Sequence, residues 1–145
     1  VIETMNNKAC MHTAEHILTA VMRQLFNSPR NLEMHLGEKK SKCDYTVPRQ
    51  ISVEDAAVIE SAVNAEIEKD YPVNYEVLPI DVAREAYDLW KIPPGAETIR
   101  IVHIGDFDAT PCSGEHVEHT VQVGHFQIKS YSMKDENTVR IRFSV

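Results

Sequence analysis

Two short histidine-bearing motifs, lying about a hundred residues apart, constrain the fold of this chain more than any other feature of its sequence. His12 and His16 fall inside a run whose apolar residues Met11, Leu18, Val21, Met22, Leu25 and Phe26 recur at helical spacing from about Lys8 to Phe26, with Asn6 or Asn7 as N-cap and Asn27-Ser28-Pro29 as the stop. An i, i+4 pair on a helix puts both imidazoles on one face, about 5–6 Å apart at Cβ, as a shared metal requires. Cys112-Ser113-Gly114-Glu115-His116 adds a thiol and a third imidazole, with Gly114 permitting a tight backbone between them. Three imidazole nitrogens and one sulfur complete a tetrahedron suited to Zn2+. If the pairs share an ion, the fold must carry residue 112 back to the first helix. Taken singly, each pair has an ordinary reading: two polar surface or core histidines, and a small buried thiol.

Two rival motifs overlap these residues. His12-Thr13-Ala14-Glu15-His16 matches the inverted zinc-protease signature, in which Glu15 would be a general base. A peptidase needs a large cleft, and Cys112 as fourth ligand would fill the position a water requires, so Glu15 reads better as a solvated helix residue. Cys112 and His116 also stand at a separation that would permit a Cys-His nucleophile, but nothing else in the chain marks an acyl-enzyme apparatus.

The 145 residues show no internal repeat, low-complexity tract or Gly/Ser-rich linker, so 1–145 reads as one domain. With 43% apolar and 26% charged residues, a real core is expected. No apolar run is long enough to span a membrane, and Val1 to Cys10 lacks the apolar segment of a signal peptide, so the expected location is cytoplasmic. Three scattered cysteines are too few for a disulfide framework. The net charge of −7 argues against a broad phosphate-binding coat, yet it is unevenly spread: residues 54–88 hold ten acidic and two basic groups, a balance of −8 that leaves the remainder at +1.

Further elements follow from pattern. Asn31 to Val47 reads as a hairpin with its turn at Gly37 to Ser41, and Ser52 with Asp55 resembles a capping box opening a second, amphipathic helix that ends near Lys69. Val73 to Ile80 alternates like a strand, Asp81 can cap a short helix through Leu89, and Pro93-Pro94-Gly95 breaks the chain. Strands are predicted over about Thr98 to Ile104, His125 to Tyr131 and Thr138 to Phe143, with a polar turn at Lys134 to Asn137 and a loop after Ile104. The expected class is α+β: one domain in which an antiparallel sheet packs against a long metal-bearing N-terminal helix and a second amphipathic helix.

His12-Thr13-Ala14-Glu15-His16-Ile17-Leu18, then Gly105-Asp106-Phe107, Cys112-Ser113-Gly114-Glu115-His116-Val117 and Gly124-His125-Phe126, together resemble the editing domain shared by alanyl- and threonyl-tRNA synthetases and free-standing AlaX proteins. The resemblance runs from about Lys8 to the C-terminus. It implies Zn2+ held by His12, His16, Cys112 and His116, and hydrolysis of the ester of a mischarged tRNA, typically seryl-tRNA(Ala) and sometimes glycyl-tRNA(Ala). It also implies the smallest, trans-acting type, without an aminoacylation domain. Ser113 and Glu115 stand where the family commonly has Gly and Thr, which leaves the preferred amino acid open.

The partner so implied is the aminoacylated acceptor end of tRNA. His35, Gly114 and Glu115 are the candidate substrate-binding residues, and Arg30, Lys39, Lys40, Lys42, Arg49, Arg140 and Arg142 the candidate tRNA contacts. No catalytic residue beyond the metal centre is marked. His103, His119 and His125 read as structural or exposed. Three other functions fit the same residues: a non-catalytic zinc-stabilised tRNA-binding module, an editor of seryl-tRNA(Thr), and a small-molecule aminoacyl esterase.

Overall fold

The computed structural model describes residues 7–89, 92 and 94–145. The N-terminal helix α1 runs Asn7–Phe26, and every residue from Ala9 to Met22 except His12 is buried. It ends as its sequence predicts: Asn27 takes the left-handed conformation (φ 58°), and the N–H groups of Asn27 and Ser28 reach back to the carbonyls of Arg23 and Met22 at 3.0 and 3.4 Å. Of the two N-cap candidates, Asn6 lies outside the described residues and Asn7 is already helical.

The hairpin follows as β1 (Glu33–His35) and β2 (Ser41–Thr46), paired antiparallel with Met34 opposite Cys43. Helix α2, Val53–Glu68, opens on the predicted capping box: Ser52 Oγ accepts from the Asp55 N–H at 3.1 Å, and Asp55 Oδ2 from the Ser52 N–H at 2.9 Å. Its Ile59, Val63 and Ile67 face the core. Strand β3, Val73–Pro79, leads into α3, Ile80–Ala86, where Pro79 rather than Asp81 holds the N-cap position and Asp81 sits in the first turn. The chain turns extended at Tyr87, so α3 stops short of Leu89. Pro93 of the predicted break lies outside the described residues.

Strand β4, Thr98–Ile104, is followed where a loop is predicted by a further strand, β5, Asp108–Pro111, paired antiparallel with β4. Gly105 (φ 50°) makes the turn between them, and a Cβ there would lie 2.4 Å from the Tyr71 ring. A 3-10 turn at Thr120–Val123 precedes β6, Gln127–Asp135, and β7, Thr138–Ser144. Strand β6 begins two residues later than predicted and extends through Asp135, which shortens the polar turn.

The class is α+β, with the antiparallel strands divided into two sheets of order β1-β2-β7-β6 and β3-β4-β5. One core joins them, with Ile17, Leu18 and Met22 of α1 in the same apolar cluster as Val63 of α2, Tyr45 and Phe143 of the first sheet, and Val102 and Ile104 of the second. Residue 112 thus emerges from the end of β5, in the smaller sheet, beside α1.

The larger sheet contains a buried ion pair. Asp44 is 2% exposed and accepts from Arg140 Nε and Nη2 at 2.8 and 3.0 Å and from Lys134 Nζ at 3.2 Å. Burial pushes its carboxyl up, but the hydrogen bonds from Arg140 and Lys134 outweigh that and hold it below the ordinary aspartate value. A lowered folded-state pKa stabilises the fold above the unfolded value near pH ~3.9, and this contribution is lost as pH falls through the folded value. Asp44→Asn is expected to cost about 3 kcal/mol at pH 7, the lower end for a broken buried pair because both cations keep some water. Denaturant unfolding at pH 7 and pH 3 should show a smaller acid loss for the variant than for the wild type.

Candidate metal centre

Helix periodicity puts His12 and His16 on one face of α1, and the chain leaving β5 brings Cys112 and His116 against that face. One ligand atom from each of the four side chains lies within 4.8 Å of every other. The three imidazole centroids are 5.0 Å (His12–His16), 4.4 Å (His12–His116) and 4.5 Å (His16–His116) apart. His12 Nε2 and Cys112 Sγ are 3.1 Å apart.

Burial, the neighbouring imidazoles and the Arg100 cation depress the histidines: His16 to about 3 and His116 to about 2, with His12 also lowered chiefly by burial. All three are therefore neutral near pH 7, the form that donates a lone pair. Two of the nitrogens, His16 Nδ1 and His116 Nε2, are buried with no hydrogen-bond partner. A buried polar atom left so is costly unless something binds it, and two in one cluster with a thiol are the arrangement a metal ion satisfies. Burial raises the Cys112 thiol, while the Gly114 N–H and Arg100 pull the other way. A thiol raised in this way is a poor free nucleophile, which removes support from the Cys-His reading.

Two side chains that the sequence does not mark as functional, Thr13 and Arg100, hold the cluster in shape. Thr13 Oγ1 lies 3.0 Å from His116 Nδ1 and accepts from the Val117 N–H at 3.2 Å. With Nδ1–H donating to Thr13, His116 keeps its Nε2 lone pair free, the outer support that ligating histidines require. Arg100 of β4 donates from Nε to the Cys112 carbonyl at 2.9 Å and from Nη2 to the Gly114 carbonyl, and its guanidinium lies 4.5 Å from the centroid of the Tyr75 ring. Glu15 corrects the sequence reading: it is 4% exposed rather than solvated, and its Oε2 accepts from Thr19 Oγ1 at 2.7 Å and Asn31 Nδ2 at 3.0 Å. Thr19 also pairs with Tyr45 Oη at 2.7 Å. Burial raises the Glu15 carboxyl, against the pull of those hydrogen bonds and of His12. Nothing local in the sequence separates a buried helical glutamate from an exposed one.

A cavity of about 570 Å³ opens on the cluster, its wall including His12, Glu15, His16, Thr19, Asn31 and Thr110. A second, of about 470 Å³, lies across His12, Met34 and Gly114, and collects the three substrate-binding candidates His35, Gly114 and Glu115. Gly114 has a further duty: a Cβ there would lie 2.1 Å from His12 Cε1. Among the basic candidates, Lys39 and Lys40 are exposed at the hairpin turn, and Lys42 is half-buried on β2. Arg30 pairs with Asp88, Arg49 with Asp55, Arg140 with Asp44, and Arg142 reaches Ser130 at 3.5 Å. His103 meets Glu76 at 3.0 Å on the second sheet. Among the described residues, no helix is long and apolar enough to cross a membrane.

Residues 99–142 match the family described as the threonyl and alanyl tRNA synthetase second additional domain, a stretch that includes Cys112 and His116. The chain is 33% identical over 137 residues to the alanyl-tRNA editing protein AlaX-L of Pyrococcus horikoshii, covering 92% of this chain and 33% of that one. It is 28% identical over 133 residues to the alanine–tRNA ligase of Treponema denticola and 30% identical over 138 to that of Halorubrum lacusprofundi. The chain spans 22% and 15% of those ligases, so it corresponds to about a third or less of each relative.

The geometry makes separable predictions about metal affinity. Cys112→Ala and His16→Ala are expected to abolish stoichiometric metal content in the purified protein, measured by elemental analysis. Thr13→Val and Arg100→Met, which touch no metal, should each weaken affinity about 10–100-fold in chelator competition. Gly114→Ala should force the His12 ring aside and weaken affinity by at least about tenfold, with the helical circular dichroism unchanged.

Proposed function

The chain belongs to the editing-domain family that alanyl-tRNA ligases share with AlaX proteins, and from that premise we propose that it hydrolyses the ester of mischarged tRNA, with seryl-tRNA(Ala) as main substrate and glycyl-tRNA(Ala) as a second. Residues 1–145 act in this reading as one editing domain. The observation that carries it is the meeting of His12, His16, Cys112 and His116 in one cluster, of which His12, His16 and Cys112 line the 570 Å³ cavity.

We assign the four side chains to Zn2+, because neutral imidazoles and a thiolate suit that borderline-soft ion and two of the imidazole nitrogens have no other partner. When bound, the ion supplies Lewis-acid polarisation and fixed positive charge beside the cavity. The chain's own residues bind and orient. An aminoacyl ester is already activated, so its hydrolysis needs position, charge stabilisation and a test of the amino acid more than a strong nucleophile. A cavity of this volume admits an aminoacyl group with part of its ribose. Thr19, Asn31 and Thr110 put hydroxyl and amide groups on the wall, where a seryl hydroxyl extends the hydrogen bonds they make to Glu15, Tyr45 and Asp108 and an alanyl methyl adds none. Arg23 and Arg30 line the same cavity and supply positive charge for the phosphates of the terminal nucleotides. The acidic outer face of α2 keeps the grip on RNA local.

A deacylation panel tests the reading: seryl-, glycyl- and alanyl-tRNA(Ala), seryl-tRNA(Thr), and a free seryl ester, each with and without chelator. Serine release from seryl-tRNA(Ala) is expected, lost on chelation and restored by Zn2+, with alanyl-tRNA(Ala) slower by up to ~10⁴-fold. Tight tRNA binding with no turnover would point to a non-catalytic module, and equal hydrolysis of the free ester to a small-molecule esterase. A metal-replete protein inert toward every ester in the panel would overturn the proposal.

A further inference from the structure

We propose that Glu15 receives the α-ammonium of the aminoacyl ester and is a specificity-determining residue of the reaction; this rests on the deacylase reading above. Glu15 lies on α1 between the ligand candidates His12 and His16, is 4% exposed and lines the 570 Å³ cavity. Its two oxygens differ. Oε2 is fixed by Thr19 at 2.7 Å and Asn31 at 3.0 Å. Oε1 accepts no hydrogen bond among the described residues, and His16 Nε2, on a neutral ring, lies 3.8 Å from it, beyond hydrogen-bond range. Among the described residues no Lys or Arg forms an ion pair with Glu15. A buried carboxylate held on one side and open toward a cavity is half of an ion pair, and such a group is kept in an interior when a cation completes it.

An aminoacyl ester brings that cation. Its α-nitrogen stands two bonds, about 2.5 Å, from the ester carbonyl carbon. A nitrogen held at Glu15 Oε1 therefore fixes the carbonyl beside the imidazoles of the flanking turns. Thr19 and Asn31, by occupying Oε2, leave Oε1 as the open acceptor of a residue that lines the cavity. The contact reads what all aminoacyl esters share, and it refuses esters whose nitrogen is missing or acylated, peptidyl-tRNA being the chemical example. Side-chain choice is left to the rest of the wall.

The test uses the full zinc-loaded chain with seryl-tRNA(Ala) and 3-hydroxypropanoyl-tRNA(Ala), in which hydrogen replaces the ammonium without adding bulk. Wild type is expected to prefer the seryl ester in kcat/KM by about 10–100-fold, the range for a hydrogen bond to a charged group. Glu15→Gln should lose that preference by slowing only on the seryl ester, with zinc affinity in chelator competition and circular dichroism unchanged. Glu15→Asp, one methylene short, should lower the preference with zinc affinity intact and serves if the Gln chain misfolds. Equal loss on both esters, or zinc affinity that falls with activity, makes Glu15 a positioning residue for His16 and overturns the assignment. Variants that retain the full preference overturn it too. Wild type with no preference overturns the assignment while the deacylase reading stands; wild type that hydrolyses neither ester removes both.

Discussion

The structure depends on a helix that is buried on nearly every side and is not apolar at its centre. Helix α1 lies in the core that joins the two sheets and α2, yet Thr13, Glu15, His16 and Thr19 are all buried with Met11, Ile17, Leu18 and Met22. Each such polar group must be matched or its burial works against folding. Thr13 is matched by the loop after Cys112, Glu15 by Thr19 and Asn31, and Thr19 by Tyr45 of the larger sheet. The neighbours of α1 are therefore not interchangeable apolar slabs. Each carries a polar partner to a fixed position, and what remains unmatched at the cluster is two imidazole nitrogens and one glutamate oxygen, beside the cavity that His16 and Glu15 line.

How much of this is legible in the sequence follows from how local each signal is. The span of α1, its Asn27 stop, the hairpin and the Ser52–Asp55 box are written within a few residues of where they act, and the structure reproduces them. Strand β5 is hidden because Asp108 and Pro111 are poor strand residues; it exists through pairing with β4 and through Asp108, which is buried beside Arg23 and Thr110. The division into two sheets is equally invisible, since strand order is a long-range property. At the site, the motif spacing names the four side chains that converge. The burial of Glu15 and the reach of Arg100 depend on which elements pack alongside, and no periodicity encodes that.

The two halves of the cluster are held differently. His12 and His16 belong to a continuous helix, whereas Cys112 and His116 sit on irregular chain whose carbonyls are gripped by Arg100 and whose Val117 is anchored in the core. Arg100 lies against Tyr75, so this chain is tied through β4 and β3 to the smaller sheet. Irregular backbone can curve around a site as a helix cannot, and a planar guanidinium with several donors is suited to hold two carbonyls at once.

The contacts between His12 and Cys112 and between Thr13 and His116 join residues 100 and 103 positions apart in the chain. Contacts so distant in sequence slow assembly, because the ends of a long loop must meet before any reward is gained. During synthesis α1 emerges before the strands and the second helix, and for most of that interval it lacks the elements that will cover it. Its threonines, glutamate and histidines then face water, which tempers an otherwise strongly apolar helix. The residues that later build the cavity thus act earlier as a guard against premature association, and the site exists only after some hundred further residues have followed the helix that carries half of it.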